Sequence, residues 1–204
     1  DCIILAVKPP LIDVVLDEIK PTVIPEKCVV SIAAGIRIAT IEKKLPKVPV
    51  VRVMPNQPCL IGAGVSAFSS GRNAKKEHAD FVQKIFSALG VAVAVPEKHI
   101  NGVTGLSGSG PAYVYEFIAG LIQGTSGVLP RELARDLATQ TVIGAGKLAK
   151  DFRGKTLENL VQMVASPKGT TVAGLAVMSK NKLRWIVAGA VRAAIRRAED
   201  LSKT

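Results

Sequence analysis

The first half of the chain alternates short continuous apolar runs with segments whose apolar residues recur every three or four positions. Residues 3–7 (Ile-Ile-Leu-Ala-Val) read as a buried strand. Residues 10–20 read as a helix with Leu11, Val14, Val15 and Ile19 on one face. A second strand over 28–33, a short helix over 38–45 and a third strand over 50–54 follow. A fourth strand over 65–69, an amphipathic helix over 74–89 and a last apolar run over 91–95 close the pattern. Strands that are apolar throughout need cover on both faces, so the pattern predicts an α/β fold on a parallel or mixed sheet.

From about Glu97 onward the strand pattern stops. Residues 113–123, 131–150, 156–165, 171–179 and 183–202 all carry helical spacing. Pro130 suits the start of a helix, with Glu132 close behind it to complement the helix dipole. The expected division is therefore an α/β domain over 1–97 and an all-helical domain over 98–204. Ala and Gly are frequent in the second part and let helices approach closely. An oligomer interface and a monomeric bundle both fit that pattern.

Composition narrows the classes. A chain of 204 residues with 48% hydrophobic and 21% charged residues can bury a sizeable core. The net charge of +11 raises nucleic-acid binding first. Aromatics at 4% leave little for base stacking, and no helix-turn-helix or zinc-finger spacing appears, which argues against it. A basic surface that meets anionic substrates or phosphates is the plainer reading. Cys2, Cys28 and Cys59 are odd in number and lie in no metal-ligand spacing, so they read as small apolar residues of a reducing compartment. No apolar run reaches the roughly 18 residues of a spanning helix. The chain opens on Asp1 in mid-strand, which leads us to expect further sequence upstream.

Some motifs fail on context. Gly144-Ala145-Gly146-Lys147-Leu148-Ala149 matches the G-x-G-x-x-A dinucleotide fingerprint in letters only. Helical spacing runs through it from Leu133, so it predicts small residues at a helix contact and no phosphate turn. Ser107, in Gly105-Leu106-Ser107-Gly108-Ser109, falls one glycine short of a nucleophile elbow, leaving a serine hydrolase as the weaker enzyme reading. His78 and His99 have no acidic partner at triad spacing and read as structural.

Other segments hold up. Ala6-Val7-Lys8-Pro9 and Ile32-Ala33-Ala34-Gly35 close the first two strands, at the sheet edge where α/β folds bind ligands. Ser166-Pro167-Lys168-Gly169-Thr170-Thr171 precedes a helix, so its backbone N–H groups suit a carboxylate; simple N-capping by a threonine is the alternative.

Taken together, these pieces resemble pyrroline-5-carboxylate reductase over essentially the whole chain. The resemblance rests on Ala6–Pro9, Val30–Gly35, Arg52-Val53-Met54-Pro55-Asn56-Gln57-Pro58, Val103-Thr104-Gly105-Leu106-Ser107-Gly108-Ser109-Gly110-Pro111-Ala112-Tyr113, Leu129-Pro130-Arg131 and Ser166–Thr171. It implies a Rossmann-type nucleotide-binding domain followed by a helical dimerisation domain, with dimers that assemble further into a decamer. It implies hydride transfer from NADPH or NADH to the C=N carbon of pyrroline-5-carboxylate, without metal, in the cytoplasm or in mitochondria. By the same resemblance Ala6, Val7, Lys8, Pro9, Ile32, Ala33, Ala34 and Asn56 bind the cofactor. Glu97, Ser166, Gly169, Thr170 and Thr171 bind the substrate, in an active site that combines parts of two subunits. There the N–H groups of Gly169, Thr170 and Thr171 are expected to hold the carboxylate, while the Thr171 hydroxyl supports protonation of the ring nitrogen.

The sequence also departs from the family. The Gly-rich turn that grips the pyrophosphate, and the strand that reads the adenosine ribose, are not among these 204 residues. Without them cofactor affinity is expected to be poor and a strand edge to be exposed. Lys168 and Val128 stand where the family has Gly, with strain expected wherever φ is positive. Ser126 and Arg192 replace a Lys and a Glu. A catalytically inactive, oligomerising paralogue is therefore the second reading.

Overall fold

The computed structural model describes residues 2–202, which form two compact units. One comprises Asp1–Pro111 with Ala190–Thr204, the other Ala112–Gly189. The first contains a five-stranded mixed sheet in the order β1 (Cys2–Leu5), β2 (Cys28–Ser31), β3 (Val50–Met54), β4 (Gly64–Ser70), β5 (Gly90–Ala94). β1, β2 and β3 run parallel, β4 is antiparallel to β3, and β5 is parallel to β4. The fold class expected from the sequence is the one found.

Alternation within the strands builds two cores. Val29 and Val50 face one side with Ile12 and Leu16 of α1 (Ile12–Ile19) and Ile38 and Ile41 of α2 (Ile38–Lys44). Val30, Val51, Val53 and Phe68 face the other with Val82 and Phe86 of α3 (Lys76–Ser87). Each helix buries one apolar pair at i, i+3 or i, i+4, and α2 also buries Glu42, which pairs with Arg72 at 3.2 Å. β1 ends at Leu5, two residues before the expected end. Its partner β2 ends opposite at Ser31, and a 3-10 turn begins at Pro9.

The connection after β5 is more helical than its glycines suggest. α4 (Ile100–Val103) runs into a π turn, Thr104–Gly108, and then into α5 (Gly110–Gln123). Gly105 is buried there. A Cβ on it would lie 2.5 Å from Ile195 Cγ1 and 3.0 Å from the Val191 carbonyl oxygen, so the glycine is what admits α9 (Leu183–Leu201).

The second unit holds most of α5, then α6 (Arg131–Asp151), α7 (Leu157–Val164), α8 (Thr170–Lys180) and the start of α9. Thr156 caps α7, its hydroxyl accepting the Asn159 N–H at 3.2 Å, and Glu158 of α7 pairs with Arg184 of α9 at 3.0 Å. Gly144 and Gly146 lie inside α6, so the fingerprint-like run is helix interior, as expected. A Cβ at either would meet nothing within 4 Å, so the expected helix contact is not made within the described chain. Positive φ falls on Gly127 (78°) and not on Val128, which removes the expected strain at Val128; Lys168 does carry it, with φ 60°.

Candidate active site

Three predicted segments come together at one sheet edge. β1 and β2 end side by side, with Leu5 opposite Ser31 and the Ile32 N–H donating to the Leu5 carbonyl at 3.2 Å. Ala6–Pro9 and Ile32–Ala34 therefore leave the sheet as neighbours. Asn56 follows two residues after β3, the third parallel strand, at the same edge. Ala6 and Lys8 are exposed and Val7, Pro9, Ile32 and Ala34 half-buried, whereas Ala33 turns its methyl into the core. Gly35 then takes φ 80°, and a Cβ there would stand 2.9 Å from Leu201 Cβ, so the turn needs glycine on both counts. Small side chains on an open carboxyl edge leave room for a flat ring against the backbone, so these residues fit a nicotinamide dinucleotide.

Asn56 is bound within the protein on both ends of its amide. Its Oδ1 accepts the Val65 N–H at 2.9 Å and its Nδ2 donates to the Ser107 carbonyl at 3.2 Å.

Glu97 is engaged too. One oxygen, Oε1, accepts from the Ile38 N–H at 2.8 Å and from Arg52 Nη1 at 3.1 Å. The Arg52 side chain is only 4% exposed. Burial lowers its pKa, the Glu97 hydrogen bond and charge oppose that, and the nearby Arg37 charge adds to the lowering. Arg37, Arg52, Glu97, Lys98, Asn101 and Glu199 line a cavity of about 480 Å³. The sequence reading missed this pair as structure; the signal was a charge in the middle of the otherwise apolar strand Val50–Met54.

In the helical unit, Ser166–Thr171 forms a tight turn into α8. Gly169 is the N-cap residue, and a Cβ on it would sit 2.5 Å from Ser166 Oγ. The expectation that its N–H helps hold a carboxylate is corrected: that N–H donates to the Ser166 carbonyl at 3.0 Å, closing the turn. The N–H groups of Thr170 and Thr171, first and second in the helix, have no acceptor among the described residues, and neither hydroxyl caps the helix. Thr171 is half-buried and Thr170 exposed. Elsewhere in this unit a cavity of about 550 Å³ lies between the end of α5 and the start of α6, and none of the predicted site residues line it.

The other candidates are occupied structurally. Ser107 Oγ donates to the Val103 carbonyl at 3.1 Å, and His78 Nδ1 accepts the Lys75 N–H at 2.9 Å, capping α3. Among the described residues no cluster of three or more His, Cys, Asp and Glu is arranged to hold a metal, and no helix is long and apolar enough to cross a membrane.

Comparison with known proteins gives a consistent answer. Residues 97–201 match the family described as pyrroline-5-carboxylate reductase dimerisation. The chain is 41% identical to pyrroline-5-carboxylate reductase of Synechocystis, covering 100% of this chain and 76% of that protein. It is 38% identical to the Pisum sativum protein of the same name, over 98% of this chain and 73% of the relative. The solved Plasmodium falciparum pyrroline carboxylate reductase, with NADP bound, superposes with a TM-score of 0.93 at 35% identity, over 99% of this chain and 77% of that one.

Proposed function

The chain belongs to the pyrroline-5-carboxylate reductase family, and from that premise we infer how its residues serve the reaction. It is an oxidoreductase of proline biosynthesis that reduces 1-pyrroline-5-carboxylate to L-proline with NADPH or NADH, and it forms homo-oligomers through its helical part. The observation that carries the assignment of the cofactor edge is the convergence of Ala6–Pro9, Ile32–Ala34 and Asn56 beyond the carboxyl ends of three parallel strands.

The dinucleotide, when bound, supplies the hydride. Ala6, Val7, Pro9, Ile32 and Ala34 orient the nicotinamide end, with Ala33 contributing backbone, and Lys8 adds positive charge there. In the helical domain, taken as 98–204, the Thr170 and Thr171 N–H groups bind the substrate carboxylate at the positive end of α8. Ser166 and Gly169 shape that turn. The Thr171 hydroxyl hydrogen-bonds the ring nitrogen and steadies it as it takes a proton. Glu97 keeps Oε2 for the substrate while Oε1 stays with Arg52 and Ile38. Assembly of dimers into a decamer is the quaternary arrangement we infer from the resemblance.

Thr171→Val tests the substrate end. It keeps the shape and both backbone N–H groups while removing the hydroxyl, so kcat should fall roughly 10- to 100-fold, the worth of one or two hydrogen bonds to a charged group, with KM changed little. An unchanged kcat would remove Thr171 from the reaction.

A further inference from the structure

Pro111 interrupts a helical run that extends from Ile100 to Gln123. In an uninterrupted α-helix the N–H of residue 111 would donate to the carbonyl of Ser107. Proline has no N–H, and its ring crowds that same carbonyl. The chain answers with a π turn over Thr104–Gly108, closed by the Ser109 N–H donating to the Thr104 carbonyl at 2.9 Å, and a bend at Ser109. π turns inside helices are frequent at functional sites and need local support.

The support arrives from the sheet. Asn56 Nδ2 donates to the Ser107 carbonyl, the acceptor that Pro111 deprives of its donor. At the other end of the same amide, Oδ1 holds the Val65 N–H at the start of β4, with Cys59 Sγ 3.9 Å away. Around this knot two glycines leave no room for a side chain: a Cβ on Gly64 would lie 2.2 Å from Cys59 Sγ, and one on Gly108 2.7 Å from Met54 Cε.

We propose that Asn56 is a positioning residue: its side chain replaces the hydrogen bond that Pro111 removes, and so fixes the π turn and the exit of β3 in one arrangement. This rests on the reductase reading only for its effect on turnover. The Asn56 side chain reaches the reaction through the sheet edge it holds, where Ala6–Pro9 and Ile32–Ala34 also emerge. The amide, and not merely a polar group, is required, because one end must donate and the other accept. An aspartate at 56 would turn a carboxylate oxygen on the Ser107 carbonyl.

The test is a rescue. Asn56→Ala should lower kcat/KM for NADPH about tenfold, and Asn56→Asp more. Hydrogen exchange of the amides over 104–110 should accelerate about tenfold in both. Adding Pro111→Ala restores a backbone N–H beneath the Ser107 carbonyl. The double variant Asn56→Ala/Pro111→Ala should therefore recover at least threefold of the lost kcat/KM and return exchange over 104–110 to near the parent rate. A side chain that acted by touching the cofactor would gain nothing from an N–H at 111. A double variant as impaired as Asn56→Ala, or unchanged exchange in Asn56→Ala, overturns the proposal. Should Asn56→Ala alone not fold, recovery of folding in the double variant supports it, and failure of both overturns it. If the parent protein shows no hydride transfer, the reductase reading fails while the exchange arm still decides the role of Asn56.

Discussion

Lys168 sits at φ 60°, where an L side chain crowds its own backbone, one residue before the N-cap of α8. Lys168→Gly should relieve the strain and raise stability by about 0.5–1 kcal/mol, read as a higher urea midpoint at unchanged slope. A lower midpoint would show that the lysine is compensated by a contact of its own. Cys28 gives a pH prediction. Burial is the main reason its thiol is pushed up to about 12, from an ordinary 9.0, with the neighbouring Cys2 adding to it. The folded state thus keeps the proton that the unfolded chain loses first. This contribution to stability is complete below about pH 9 and is lost progressively as pH rises from there toward 12. Cys28→Ala should flatten the alkaline limb of the stability profile, and an unaltered limb would contradict the assignment.

The elements themselves were largely legible because their periodicities are strong. β3 spans Val50–Met54 as read, and α6, α8 and α9 begin or end within a residue of their expected bounds. What periodicity could not show was how polar groups join distant segments. Arg52 and Glu97 are 45 residues apart, and only the fold brings Nη1 and Oε1 to 3.1 Å and adds the Ile38 N–H at the head of α2. Asn56 is likewise readable as a member of a motif but not as the partner of Ser107. The turn at Gly169 was half legible: a helix start with free N–H groups was expected, but a sequence does not say that Gly169 spends its own on Ser166. Glu97→Gln keeps an acceptor for Ile38 yet strips a buried guanidinium of its counter-charge. Glu97 is one-third exposed, so the loss should be about 2 kcal/mol, below the figure for a sealed pair. Equilibrium unfolding of the variant measures it, and a loss under a few tenths of a kcal/mol would mean water replaces the carboxylate.

At the scale of the whole molecule, the helical unit carries large apolar side chains that are open to solvent. Trp185 is 68% exposed and Val177 61%, and Leu157, Val164 and Ile186 are exposed as well. Residues 97–201 match a dimerisation family, and we propose these side chains as part of the homo-oligomer interface. Val177→Glu should therefore shift sedimentation toward the monomer while leaving the α/β unit folded, and an unchanged oligomer would place the interface elsewhere. The most direct test of the enzyme assignment follows the hydride itself. The protein from its natural source is given pyrroline-5-carboxylate and NADPH carrying deuterium at the transferable position of its nicotinamide ring, and the proline formed is examined by mass spectrometry and NMR. A reductase delivers one deuterium to C5, the former C=N carbon, with one NADPH oxidised per proline. NADPH left unoxidised, or proline without deuterium at C5, would contradict the assignment and favour an oligomerising relative that has lost the reaction.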